Sequence, residues 1–126
     1  MHTSGSSIIR RALLADGVFC VAAGLLIAAC TPWLEDEVAI PDRWMIFVAG
    51  LITAVWGGLL VVASRVYPTR QSLGFVATVN VMTVLVILGW LLLQGAEMTG
   101  TGIVVVGAFG ICVLRFAIYQ SGLLRQ

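Results

Sequence analysis

Hydrophobic residues in this chain occur in four long runs that are separated by short polar segments. The runs lie near residues 8–30, 44–64, 73–94 and 99–120. A bilayer core of about 30 Å takes roughly 20 helical residues to cross, and each run is that long. Backbone groups in lipid must be hydrogen-bonded within the segment, so the Val-rich and Ile-rich third and fourth runs are also helices. The pattern therefore predicts four transmembrane helices.

Composition indicates the same class of protein. Of the 126 residues, 60% are hydrophobic and 10% are charged, whereas soluble domains average roughly 25% charged residues. We therefore expect a single membrane domain over residues 1–126, in contact with the lipid bilayer. The net charge of +1 is too small to indicate a nucleic-acid partner.

Charge placement predicts the orientation of the helices. One side of the predicted bundle carries most of the basic residues, namely His2, Arg10, Arg11, Arg65, Arg70 and Arg125. The other side carries Arg43 and most of the acids, namely Glu35, Asp36, Glu37, Asp42 and Glu97. The positive-inside rule then places both termini in the cytoplasm. With short loops, the simplest fold is an all-α, up-down-up-down four-helix bundle.

The first outer loop, residues 31–43, has a helical pattern of its own. Thr31-Pro32 resembles an N-cap followed by proline in the first turn, and the acids after it favour an early helical position. We expect a short helix at the membrane surface here. The acidic run is interpreted as a solvated loop, with cation capture as the alternative.

Three polar residues within the runs are the candidate site. Asp16, Asn80 and Arg115 are predicted to lie in the same half of the membrane, and a carboxylate in a spanning helix requires a partner or a function. Opposite charges at one depth would offset each other's desolvation, so these residues are predicted to form a buried polar cluster. Two other interpretations stay open: Arg115 extends to the headgroups, or Asp16 is a proton site.

Small residues predict where helices approach closely. Gly50, Ala54 and Gly58 recur every four positions on the second span and form a small-xxx-small stripe. The stripe indicates either packing within the bundle or a seam between two copies of the chain. Both interpretations remain open.

Neither a cofactor nor a metal ion is predicted. Cys20, Cys30 and Cys112 have no CxxC spacing, and the only histidine is His2. No catalytic residue can be assigned, because Asp16, Asn80, Arg115 and Tyr119 have no obvious nucleophile beside them.

The chain carries several short motifs, namely the segment from Arg10 to Gly17, Pro32-Trp33-Leu34, Gly57-Gly58-Leu59-Leu60, Val79-Asn80-Val81 and Gly122-Leu123-Leu124-Arg125. In these motifs it resembles small bacterial four-helix membrane proteins, loosely of the DoxX-like group. The resemblance implies a multi-pass protein of the bacterial cytoplasmic membrane. It brings no catalytic residue with it.

Two functions follow as hypotheses. The first is a non-enzymatic accessory, assembly or scaffold subunit of a membrane complex, as a homo-oligomer or beside larger chains. The second is a dimeric proton-coupled transporter of small lipophilic cations, in which Asp16 exchanges proton and substrate. That second hypothesis rests on a likeness to small multidrug-resistance transporters, which carry an acid in their first helix.

Overall fold

All the regular secondary structure in the described part of the chain is helical. The computed structural model describes residues 2–38, 40 and 42–126, with side chains described from Gly5 onward. Its helices are α1 (His2–Ala29), α2 (Thr31–Glu37), α3 (Arg43–Val66), α4 (Arg70–Gln94) and α5 (Gly100–Leu124), with a 3-10 turn at Gly95–Glu97. By length and composition α1, α3, α4 and α5 are apolar enough to cross a membrane. The prediction of an all-helical chain with four such helices is confirmed.

Side-chain caps determine where the later helices begin. The Asp42 carboxylate accepts a hydrogen bond from the backbone N–H of Trp44 at 2.9 Å, and α3 starts there. The hydroxyls of Thr69 and Thr99 accept from backbone N–H groups two residues into α4 and α5. Each cap satisfies a donor that the first helical turn leaves free.

The short helix α2 falls within the loop where it was predicted, but its start is different. Thr31 is the first residue of α2 rather than its N-cap, and Cys30 holds the cap position without a side-chain bond. The Thr31 hydroxyl instead donates back to the carbonyl oxygens of Ile27 and Ala28, at 3.2 and 2.9 Å. These bonds tie the new helix to the end of α1.

The helices α1 and α3 form an antiparallel pair whose backbones almost touch. A Cβ atom added at Gly24 would lie 2.5 Å from the carbonyl oxygen of Gly50, and one added at Gly57 would lie 2.6 Å from that of Gly17. Real Cβ atoms do not come this close to backbone atoms. These glycines are therefore required by the approach of the two helices, and we call their contact the glycine seam.

The glycine seam repeats every seven residues. Gly17 and Gly24 on α1 face Gly57 and Gly50 on α3, and Ala54 lies against Gly24 between them. A seven-residue repeat keeps one face of each helix against its neighbour over several turns. Gly58, which the four-residue pattern had placed in this stripe, has nothing within 4 Å of an added Cβ. The close approach runs through Gly57 instead.

The helices α4 and α5 form the second antiparallel pair, and larger side chains join it to the first. Leu13 of α1 and Leu60 of α3 share a buried cluster with Leu73 and Val76 of α4. Phe19 of α1 contacts two rings of α5, with centroid distances of 5.8 Å to Phe109 and 5.4 Å to Phe116. The two pairs thus meet through side chains rather than through backbone.

Polar contacts hold one end of the bundle together, and apolar contacts hold the other. At the end that carries α2, the backbone N–H of Thr99 donates to the carbonyl oxygen of Glu37 at 3.2 Å, and Arg43 pairs with Glu35 at 3.5 Å. At the opposite end, Ile9 of α1 and Leu124 of α5 border the same apolar cluster. We call these the α2 end and the termini end.

Candidate functional site

Asp16 lies in the interior of the bundle, on the face of α1 that contacts the other helices. Its exposed fraction is 1%. It lies about 16 Å along the helix from Gly5, the start of the apolar span, and thus well inside it. The helical repeat places Ala12 and Cys20 on the same buried face.

Three donors surround the Asp16 carboxylate. Its Oδ2 atom accepts from Asn80 Nδ2 and from Gln120 Nε2, each at 2.7 Å. Its Oδ1 atom accepts from the Cys20 thiol at 3.4 Å. An ionised carboxylate is an acceptor only, and this arrangement supplies donors to both of its oxygens.

The two amides also bond to each other. Asn80 Nδ2 donates to Gln120 Oε1 at 2.8 Å, so both of its hydrogens are used. Asp16, Asn80 and Gln120 thereby form a closed triangle that connects α1, α4 and α5. We call these three residues and Cys20 the polar cluster.

Gln120 was not identified from the sequence, because it lies only one turn before the end of α5, where a polar side chain is expected at the membrane surface. It is nevertheless fully buried, with 0% exposure. The reason is that α4 begins beyond the end of α5: Arg70, its first residue, donates back to the carbonyl oxygen of Leu124. The signal in the sequence was the stripe Val113, Ala117 and Gln120, whose spacing marks one face of a helix.

Arg115 lies outside the polar cluster. It is on the exposed face of α5, about 200° around the helix from buried Ala117. Among the residues that the structure describes, it forms no ion pair and no hydrogen bond with Asp16. Its neighbours on that face of α5 are exposed as well, at Ala108, Ile111, Cys112 and Tyr119. Gln120 therefore occupies the place that charge and depth had suggested for Arg115.

Arg115 borders an open groove beside α5. The groove has a volume of about 720 Å³ and is lined by Phe19, Cys112, Arg115, Phe116, Ile118 and Tyr119. Its walls are mostly apolar. We call it the Arg115 groove.

Chemically, the polar cluster is suited to holding helices together. Both carboxylate oxygens and both hydrogens of the Asn80 amide are paired within the cluster, and the carboxylate is closed to lipid and water in this conformation. In the described part of the chain, no group of three His, Cys, Asp or Glu residues is placed to hold a metal ion.

Comparisons with known proteins add no family to this description. The chain matches no family model, no curated protein and no solved structure. The resemblance to DoxX-like bacterial proteins therefore gains no support from them. The structure itself indicates a multi-pass membrane protein.

Proposed function

We propose that this chain is a small, non-enzymatic integral membrane protein that serves as an accessory, assembly or scaffold subunit of a membrane complex. The observation that supports the proposal is the enclosure of the Asp16 carboxylate by hydrogen-bond donors. A carboxylate in a spanning helix costs about 2.5–3.5 kcal/mol on insertion scales, so its presence requires a reason. Here three donors enclose it and join three helices, which is a structural reason.

The enclosure of Asp16 supports a structural role over exchange chemistry. An acid that alternates between proton and substrate has to reach a cavity that is open to one side of the membrane. Asp16 is instead buried behind Asn80 and Gln120, and both amides would have to leave it before a cation could approach.

The outer surface of the bundle supports a role beside other chains. Between 17% and 33% of the most apolar window of each span is buried within the chain. Large apolar side chains remain exposed along the spans, among them Leu26, Val55, Leu92 and Val104. This surface is available to lipid and to neighbouring helices.

Transport of lipophilic cations is the second candidate, and one observation favours it. The polar cluster lies between the α1–α3 pair and the α4–α5 pair, which contact each other mainly through side chains. A movement of one pair against the other would open the bundle at Asp16.

Binding of tetraphenylphosphonium to the purified full chain distinguishes the two candidates. Titrations between pH 5 and pH 9 would compare the wild type with Asp16→Asn and with Glu97→Gln, an exposed acid at the α2 end. We expect no saturable binding that depends on Asp16. Saturable, pH-dependent binding that Asp16→Asn abolishes and Glu97→Gln preserves would overturn the structural role in favour of transport.

The accessory role has a separate test. The chain would be extracted with its surrounding lipid in polymer-bounded nanodiscs, and the mass of the particles measured. We expect particles that hold a larger, different membrane protein. Particles that contain only copies of this chain would contradict an accessory role.

A further inference from the structure

Arg115 is a charged side chain on the outer surface of a spanning helix, and the polar cluster does not account for it. It lies about 14 Å along α5 from Leu124, the last residue of the helix. An arginine cannot shed its charge in a protein. At this depth it therefore needs an anion close by, and the described residues supply none.

Arg115 has a hydrogen-bond donor on one side and apolar side chains around it. Tyr119 lies one turn nearer the termini end on the same face of α5 and also lines the groove. Its hydroxyl is a second donor on the side towards which the arginine must extend. Phe19, Phe116 and Ile118 provide the apolar walls. A ligand that fits both parts has an anionic head and a hydrocarbon tail.

We propose that the Arg115 groove binds an anionic phospholipid, with Arg115 and Tyr119 holding its phosphate. The guanidinium group suits phosphate because it donates two parallel hydrogen bonds to it. An acyl chain then lies along Phe19 and Ile118. The head is drawn somewhat below the level of the surrounding headgroups, because Arg115 lies inside the span.

Charge complementarity selects a lipid rather than a second copy of the chain. Asp16 is enclosed, and the remaining acids lie at the α2 end or on the loop beside it, namely Glu35, Asp36, Glu37, Asp42 and Glu97. A second copy in the same orientation thus offers no carboxylate at the depth of Arg115. Arg70 and Arg125 lie at the termini end, beside the last turn of the helix that carries Arg115, and they add attraction for an anionic headgroup.

Native mass spectrometry of the full chain in detergent tests the proposal. Phosphatidylglycerol and the diacylglycerol with identical acyl chains, which lacks the phosphate, would be titrated separately, and the ratio of their apparent affinities measured. Charge-assisted hydrogen bonds to the phosphate correspond to about a tenfold preference. We expect phosphatidylglycerol to bind about tenfold more tightly than the diacylglycerol to the wild type and about equally with it to Arg115→Gln.

Arg65→Gln is the matched control, because Arg65 is an exposed arginine at the termini end of α3 and lies outside the groove. It removes the same charge and should keep the preference. Tyr119→Phe should reduce the preference by about threefold, since one neutral hydrogen bond is lost. An equal loss of preference in Arg115→Gln and Arg65→Gln would overturn the proposal, as would no loss in Arg115→Gln.

Two further measurements distinguish phosphate recognition by Arg115 from other kinds of binding. Arg115→Lys keeps the charge without the paired donors and should retain part of the preference; full loss or full retention would contradict phosphate recognition by the guanidinium group. Inorganic phosphate at millimolar concentration should not displace the lipid, because it lacks the acyl chain. Displacement would show a simple anion site, and blockage of the groove by a co-purifying protein would show a protein partner; either result overturns the lipid proposal.

Discussion

The two contact regions of α1 hold helices together by opposite means. On one side the glycine seam brings α1 and α3 so close that there is no room for a single added methyl group. On the other side Asp16 reaches α4 and α5 through hydrogen bonds of 2.7 Å to long amide side chains. The first contact depends on missing side chains and the second on polar ones.

This difference reflects the membrane as a solvent. Lipid tails are as apolar as leucine, so burying leucine provides little drive for helices to associate. Close van der Waals packing and interhelical hydrogen bonds remain, and the chain uses each on a different face of α1. The stability of the glycine seam should therefore depend on side-chain volume. The stability of the polar cluster should depend on its hydrogen-bond donors and acceptors.

The largest expected effect comes from adding volume to the seam. In Gly24→Ala the new methyl group meets the backbone of Gly50 and Ala54, which cannot rotate away. We expect the free energy of unfolding to fall by about 3 kcal/mol, as measured by unfolding in mixed micelles.

Gly58→Ala is the matched control for the seam, because an added Cβ there meets nothing within 4 Å. Alanine is the better helix former by about 1 kcal/mol, so this variant should be neutral or slightly more stable. Equal destabilisation of Gly24→Ala and Gly58→Ala would contradict the assignment of the seam to Gly57 and its neighbours.

A smaller loss is expected from removing the acceptor of the polar cluster. In Asp16→Ala the amides of Asn80 and Gln120 each lose a bond in an apolar interior. Hydrogen bonds between membrane helices contribute about 0.6–1.7 kcal/mol each, so we expect a loss of about 2 kcal/mol in the same unfolding measurement. Thr53→Ala, which removes only a bond to Ala49 within α3, should change stability by less than about 0.5 kcal/mol.

A smaller effect than that of Asp16→Ala is expected at Cys20, which belongs to both regions. Its Cβ atom faces Gly57 in the seam, while its thiol donates weakly to Asp16 at 3.4 Å. Cys20→Ala keeps the Cβ and removes the thiol, so the free energy of unfolding should change by about 0.5 kcal/mol. A loss as large as that of Asp16→Ala would show that the thiol is a principal partner of the carboxylate.

The four spanning helices and part of the polar cluster could be predicted from the sequence, for identifiable physical reasons. Long apolar runs can only be helices in lipid, and a carboxylate inside such a run marked Asp16 as a residue that needs a partner. Asn80 was identified because an amide in the middle of an apolar run is conspicuous.

Other features depended on the relative positions of helices, which a linear pattern does not contain. Gln120 is buried against Asn80 of α4 and Asp16 of α1, and the α5 sequence alone does not show those contacts. Arg115 was preferred because charge and depth matched Asp16, but the helical angle places it on the other face. Gly57 differs from Gly58 because it faces the α1 backbone at Gly17 and Val21.

The central claim is that Asp16 is held by the amide of Gln120 and not by Arg115, and double-mutant cycles test it most directly. One cycle combines Asp16→Ala with Gln120→Met, and the other combines Asp16→Ala with Arg115→Met. We expect a coupling energy of about 1 kcal/mol in the first cycle and a value near zero in the second. A larger coupling between Asp16 and Arg115 than between Asp16 and Gln120 would contradict it.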